Sequence, residues 1–449
     1  MKTLVIGKGM STVLPANLLM AKGNSCIVLA TDESVFEEDI IAGLNSPEEA
    51  DVYVATLPES VLSSVDDVVM ADDALVYEDL ILELSALGHK VIGQTELAFS
   101  YDRGRVVAVA GTKGKTSCTA LLGKIIKDRT RNAFIVDSSD AYADCVCQTT
   151  RDSTTVIKMS EEHLDLSDTF HPAVSVIINI KPGNDSGLPF SEYTELIEKV
   201  AANQTAKDRV ILNYEDEITR AFGMKLDVTE DAPRPFFFST RRELKRGLFL
   251  IRDRIILRDG WGERELMKTS DLKIVGAHNL ENAFAAIAAA YKYGIPTDNI
   301  IRSCMEFEPV AHRVEYVATK NGVRFYNDSK GTDVGSAING IEAMDCPTYL
   351  IGGGYDDGAD YGEWIDSFGG KVRKLVLIGQ TRERMASCAY EHGFYDYIYA
   401  DNLEEAVSIC TCHANPGEAV LLSPACEERG MYRSYEERGN AFRAIVNNL

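Results

Sequence analysis

The sequence predicts an α/β chain in three units, and three observations carry that expectation. Short apolar runs closed by glycine turns alternate with stretches of helical spacing from the first residues onward. A continuous apolar run, Val106 to Ala110, leads straight into a glycine-rich segment and then a helical pattern. The length of 449 residues corresponds to three domains at ~150 residues each. The boundaries are expected near residues 103 and 309, giving units 1–103, 104–309 and 310–449.

In the first unit, Lys2 to Ile6 reads as a strand, Gly7-Lys8-Gly9-Met10-Ser11 as a turn, and Ser11 to Lys22 as a helix. Ser25 to Ala30, Asp51 to Ala55 and Val91-Ile92 add strands. This is a Rossmann-like beginning, with a phosphate or sugar expected at the helix N-terminus. Thr12 holds the place of the third glycine of G-x-G-x-x-G, so a dinucleotide is not indicated. A turn with no ligand fits the same residues equally well.

The second unit opens at Arg105. After the apolar run comes Gly111-Thr112-Lys113-Gly114-Lys115-Thr116-Ser117, then helical spacing to Lys127. The order strand, glycine loop, Lys-Thr, helix is that of a phosphate loop. Glycines let backbone N–H groups face an anion, Lys115 supplies a point charge for the β/γ-phosphates, and the Thr116 hydroxyl is suited to Mg²⁺. ATP is the expected ligand, since no guanine-reading motif stands beside the loop. Thr154 to Ile157 and Val174 to Ile178 read as strands, and Leu280 to Tyr293 as an alanine-rich helix stopped by Gly294 and Pro296. Asn279 is suited to cap that helix or to read a base edge.

The third unit starts near Val310 with His312-Arg313-Val314-Glu315, where a linker arginine can reach a phosphate. Asn327-Asp328-Ser329-Lys330-Gly331-Thr332-Asp333 follows the strand Gly322 to Tyr326, at the carboxyl-end position where α/β sheets bind ligands. Further strands fit Tyr349 to Ile351, Leu375 to Ile378 and Ala419 to Leu422.

Composition narrows the function classes. Hydrophobic residues make up 45% and charged residues 26%, which leaves no room for wholesale disorder. With 46 basic and 69 acidic residues the net charge is −23, which disfavours nucleic-acid and membrane-surface roles but allows a local basic pocket. The N-terminus shows no signal-peptide pattern, and no run of ~18 apolar residues occurs, so a cytoplasmic protein is expected. Ten cysteines at this length do not make a disulfide scaffold; C-x-C spacings at Cys145/Cys147 and Cys410/Cys412 argue against structural zinc, and buried reduced thiols are expected.

Gly111–Ser117, His278–Asn282, His312–Arg313 and Asp328–Thr332, in this order and spacing, resemble the Mur ligase family of peptidoglycan synthesis. The tail Leu421 to Cys426, continuing to Tyr435-Glu436-Glu437-Arg438-Gly439-Asn440-Ala441-Phe442, resembles the branch that adds D-glutamate. The resemblance implies a Rossmann-like N-terminal domain for a uridine nucleotide, a central ATPase domain and a Rossmann-like C-terminal domain. It implies an ATP-dependent amide ligase acting through an acyl phosphate, with ATP and Mg²⁺ as cofactors. Its partners would be a UDP-sugar peptide precursor and an amino acid, and the protein would be a monomer. Carried over by position, Gly111 to Ser117 would hold the phosphates and Thr116 the metal, with Lys115 and Lys330 catalytic. Asn279 would lie by the adenine, Arg313, Asp328 and Lys330 by ribose and phosphates, and Thr332, Ser423 and Tyr435 by the other substrates.

Several positions depart from the family. Lys158 stands where the family has a metal-ligating Glu, Asn184 in Pro182-Gly183-Asn184 where it has a His, and Ile197 where it has a carbamylated Lys. Lys199 is two residues on, ~200° around a helix, and is expected on another face. A Gly-Asn-Ile-Gly stretch is here Asp137-Ser138-Ser139-Asp140, and a Ser-Pro-Gly loop is Leu57-Pro58-Glu59. In the D-glutamate pocket a Lys becomes Asp357 and a Ser becomes Glu428, while the aromatic position keeps Tyr435. These changes predict a weakened second Mg²⁺ site and an acceptor that is cationic or absent. A nucleotide-binding paralogue that acts by interaction therefore stands as the alternative to a ligase.

Overall fold

In the computed structural model of the chain, residues 2–74, 78–182, 188–274, 276–308, 310–356 and 358–449 are described. The α/β class holds throughout. Packing divides the chain into two compact units, Met1–Asp271 with Glu281–Glu306, and Leu272–Leu280 with Phe307–Leu449.

The first unit contains two sheets among its described residues. The N-terminal one is built from β1 (Thr3–Gly7), β2 (Cys26–Ala30), β3 (Ala50–Val54), β4 (Asp67–Met70) and β5 (Lys90–Gly93), in the order β3-β2-β1-β4-β5. All its pairings are parallel, and β1 and β2 are buried along their whole length, as their unbroken apolar runs require.

The larger sheet uses β6 (Arg105–Ala110), β7 (Ala133–Val136), β8 (Thr154–Lys158), β9 (Val174–Ile177), β10 (Arg209–Asn213), β11 (Arg234–Ser239), β12 (Gly247–Ile251), β13 (Arg254–Asp259) and β14 (Gly262–Lys268). Its order is β14-β13-β12-β11-β10-β9-β6-β8-β7. The strand feeding the phosphate loop, β6, thus lies between β9 and β8, parallel to both. The edge formed by β12, β13 and β14 is antiparallel.

The second unit holds β15 (Glu315–Lys320), β16 (Val323–Asn327), β17 (Thr348–Gly352), β18 (Val372–Leu377), β19 (Tyr397–Tyr399) and β20 (Ala419–Leu422), in the order β15-β16-β20-β17-β18-β19. Only the β15–β16 hairpin is antiparallel. Because β20 lies between β16 and β17, the segments following all three strands converge at one end of the sheet, where α/β folds form their crevice.

Two local expectations are corrected. The alanine-rich helix spans Ala277–Tyr293, so Asn279 sits inside its first turn and is not its N-cap; the turn into it is made by Gly276 at φ 91°. All ten cysteines are free, but Cys147 and Cys412 are exposed. Among the described residues no helix is long and apolar enough to cross a membrane.

Candidate active site

The phosphate loop forms because β6 is followed by two glycines that leave the ordinary backbone regions. Gly111 has φ 128° and Gly114 φ 91°, and Gly114 caps the helix Lys115–Arg129. A Cβ on Gly111 would lie 2.9 Å from the Asn179 carbonyl oxygen, and one on Gly114 only 2.0 Å from Asn282 Oδ1. Only glycine fits either place.

Neighbouring strands brace this loop. Lys113 N donates to Asn179 Oδ1 at 2.9 Å, and Asn179 Nδ2 returns a bond to Lys113 O at 3.1 Å. Thr112 Oγ1 accepts from Lys181 N at 2.9 Å and from the Tyr193 hydroxyl at 3.1 Å. Lys115 Nζ lies over the loop, donating to Gly111 O at 2.7 Å and Thr112 O at 3.2 Å. The Glu161 carboxylate approaches it to 4.0 Å, both side chains being largely buried. Asn179 and Glu161 escaped the sequence reading. Their available signal was position: Asn179 ends the apolar run Val174 to Ile178, and Glu161 opens the helix Glu161–Asp165 capped by Ser160 after β8.

In the second unit, the segment after β16 is clamped to its neighbours. Asp328 is buried and accepts from Ser423 Oγ at 2.8 Å and from Val314 N at 3.1 Å. Burial, the largest effect, pushes the Asp328 carboxyl up to about 7 against the pull of Ser423, Val314 and Arg313. Lys330 Nζ donates to the Tyr435 hydroxyl at 2.9 Å and lies 4.3 Å from that ring. Burial followed by Glu436 pushes Tyr435 up to about 12, so it remains a neutral donor. Arg313 is presented between two left-handed residues, His312 at φ 63° and Val314 at φ 46°. For a β-branched valine this is a genuinely strained conformation, fixed by the Asp328 bond to its N–H. The Arg313 Nε is buried and has no hydrogen-bond partner among the described residues.

The structure thus gathers Gly111 to Ser117 in one place, and Arg313, Asp328, Lys330, Ser423 and Tyr435 in another. Ser423 is fully buried and spends its hydroxyl on Asp328. Thr332 is half-buried after the Lys330 turn, and Asn279 is half-buried in its helix. Asn184 and Asp357 lie outside the described residues.

Other expected sites take different forms. At the Gly7 turn the anion is the chain's own: Asp73 Oδ1 accepts from Lys8 N at 3.2 Å and Ser11 Oγ at 2.8 Å. Ser138 caps the helix Ser139–Cys145, Ser139 Oγ donates to Asp72, and Asp140 accepts from Gln94 at 2.8 Å. The Asp137–Asp140 stretch therefore pins the two sheets' helices together. Glu428 is not a solvated loop residue: its carboxylate lies 3.8 Å from the buried guanidinium of Arg438.

For a metal, the donor set is uneven. Among the described residues no group of three or more His, Cys, Asp and Glu side chains is placed to hold an ion. A Mg²⁺ carried by nucleotide phosphates needs few protein oxygens, and the Thr116 hydroxyl in the first helical turn fits it. A second Mg²⁺ does not fit, because Lys158 offers an ammonium and Ile197 is hydrocarbon with no exposure.

The chain matches the Mur ligase middle domain over residues 109–290 and the Mur ligase glutamate ligase domain over residues 312–426. The UDP-N-acetylmuramoylalanine--D-glutamate ligase of Lachnoclostridium phytofermentans is 40% identical over 450 aligned positions, covering 100% of this chain and 98% of its own. The enzyme of the same name from Lachnospira eligens is 38% identical, covering 99% and 98%. Among solved structures, a pseudomurein peptide ligase type C from Methanothermus fervidus has a TM-score of 0.57 at 18% identity, covering 100% of this chain and 99% of its own. MurF from Acinetobacter baumannii has a TM-score of 0.59 at 14% identity, covering 95% and 91%. At such identities the structural likeness shows the fold.

Proposed function

The chain belongs to the Mur ligase family, and from that premise we propose that it is an ATP-dependent ligase joining D-glutamate to UDP-N-acetylmuramoyl-L-alanine. The observation that carries this reading is a braced phosphate loop after the interior strand β6, in a chain similar along its whole length to ligases of that name. In the reaction a carboxylate oxygen of the alanine attacks the γ-phosphorus, the bond to the bridging oxygen breaks, and ADP leaves. The amine nitrogen then attacks the acyl carbon; the amide forms as phosphate departs and the nitrogen loses its proton. Catalysis of this kind is mostly positioning plus cationic stabilisation of the moving phosphoryl group.

Each group has a role that its surroundings support. The loop N–H groups from Gly111 to Ser117 face the phosphates, and Lys115 adds charge at the β/γ end. The Mur ligase family works with ATP and Mg²⁺. Thr116 is the hydroxyl that would hold the ion, which when bound offsets the phosphate charge. The buried, unpartnered Nε of Arg313 needs an acceptor, and a ribose or phosphate oxygen supplies one. Asn279 is assigned to the adenine, Asp328 and Lys330 to ribose and phosphates, and Thr332 and Tyr435 to the acceptor side, with Ser423 acting through Asp328. We read each sheet as the core of one domain, with boundaries near residues 103 and 309.

The non-catalytic alternative is not favoured, nor is a cationic acceptor. Glu428, one of the two changes that suggested it, has its charge taken up by Arg438, and the relatives bear the name of D-glutamate ligases. A ligation assay with ATP, Mg²⁺, UDP-N-acetylmuramoyl-L-alanine and D-glutamate tests the proposal. Amide should form in the wild type and be lost in Lys115→Ala, whose ATP affinity should fall about tenfold or more. Unchanged ATP affinity in the variant would remove the phosphate-loop assignment.

A further inference from the structure

The first unit contains a cavity of about 1470 Å³ lined by residues from Asp72 to Pro233. Its lining is strongly acidic and includes Asp72, Asp137, Glu161, Glu162, Glu192 and Glu195. Two lysines line it, Lys158 and Lys199. The Lys199 ammonium is committed, donating to Asp165 O at 2.6 Å. His163 is committed as well, its Nε2 lying 3.1 Å from Asp72 Oδ2. The half-buried Lys158 ammonium has no hydrogen bond or ion pair among the described residues.

Its position is specific. Lys158 ends β8 opposite Val109 of β6, two residues before the first loop glycine, Gly111. A cation here faces the cavity at the carboxyl end of the strand next to the phosphate loop. Phosphate oxygens are already provided for by the loop amides and Lys115. What lacks a partner is the second anion of an acyl-phosphate reaction, the carboxylate that must approach the γ-phosphoryl group against its negative charge. An ammonium between the two anions reduces that repulsion and orients the attacking oxygen.

We propose that Lys158 binds the carboxylate that is to be phosphorylated. This rests on the ligase reading above, but it concerns a residue that the family pattern gives no such role, since a carboxylate is expected at this position. The neighbouring acidic side chains make the site selective: a neutral analogue gains nothing from Lys158, and an anion placed elsewhere in the cavity is repelled.

Calorimetric titration tests it, with UDP-N-acetylmuramoyl-L-alanine and its neutral L-alaninamide counterpart, in the presence of a non-hydrolysable ATP analogue. The wild type should bind the acid about tenfold more tightly than the amide. Lys158→Met should lose that preference, binding the acid no more tightly than the amide, while the affinity for the amide changes little, and Lys158→Arg should restore the preference. Urea-unfolding midpoints like the wild type's in both variants would report an intact fold. A wild-type preference retained by Lys158→Met would overturn the inference while leaving the ligase reading intact. Binding of neither form by the wild type would overturn the substrate reading and this inference with it.

Discussion

Arg438 Nη2 lies 3.8 Å from Glu428 Oε2, with the arginine side chain 2% exposed and the glutamate 17%. The same guanidinium donates to Ser329 Oγ at 2.9 Å, Ser329 O at 2.8 Å and Cys426 O at 3.1 Å. One buried cation thus ties the segment carrying Asp328 and Lys330 to the segment after β20. Burial, the dominant effect, holds the arginine down at about 10, with Glu428 opposing it, so it stays charged at neutral pH.

Removing the arginine strands a carboxylate and three acceptors. Arg438→Met should therefore destabilise the chain by about 3–5 kcal/mol in urea unfolding. Glu428→Gln should cost about 1 kcal/mol, because Arg438 keeps its other acceptors. The double variant should recover part of the Arg438→Met loss. Equal effects of the two single changes would show that the pair carries no such asymmetry.

Gly114→Ala should impair nucleotide binding beyond its effect on stability. The new Cβ would meet Asn282 Oδ1 at 2.0 Å on a backbone at φ 91°. A stability loss of about 1–3 kcal/mol is expected from strain. ATP affinity, measured by calorimetry on the folded variant, should fall about tenfold or more, since the N–H groups that face the phosphates are displaced. Wild-type ATP affinity would mean that the loop amides do not face phosphate.

The Asp328 carboxyl stands at about 7 in the fold against an ordinary 3.8. Between those values the folded chain keeps a proton that the unfolded chain has lost. Unfolding free energy from this group is therefore highest below pH 4 and falls as pH rises toward 7, by up to about 1.4 kcal/mol per pH unit. Asp328→Asn should show a shallower fall over that window in urea titrations. Parallel pH profiles would show that the carboxylate is ionised throughout.

The parallel strands were legible because burial on both faces leaves unbroken apolar runs, as in Val106 to Ala110, and because glycine must follow where the loop turns. The hairpins of β12, β13 and β14 were missed, although Asp259-Gly260 between β13 and β14 is a hairpin turn signal. Their strands carry no apolar–polar alternation: Arg254 and Arg258 flank the apolar run Ile255 to Leu257 and pair with Glu265 and Glu263 across an exposed edge. At the candidate site, residues whose work is local could be read: Gly111, Gly114, Lys115 and Thr116. Those whose role depends on a distant partner could not. Asn179 matters through Lys113, Asp73 through the Gly7 turn, and Glu428 looked like a stray anion until Arg438 appeared beside it.

The central claim is that ATP activates a carboxylate before an amine attacks it. UDP-N-acetylmuramoyl-L-alanine carrying oxygen-18 in its carboxylate, turned over with unlabelled ATP, Mg²⁺ and D-glutamate, tests this directly by mass analysis of the phosphate released. An acyl phosphate transfers one labelled oxygen to phosphate for every amide formed, and that is the result expected. Amide formation with unlabelled phosphate, or phosphate release with no amide, would contradict it.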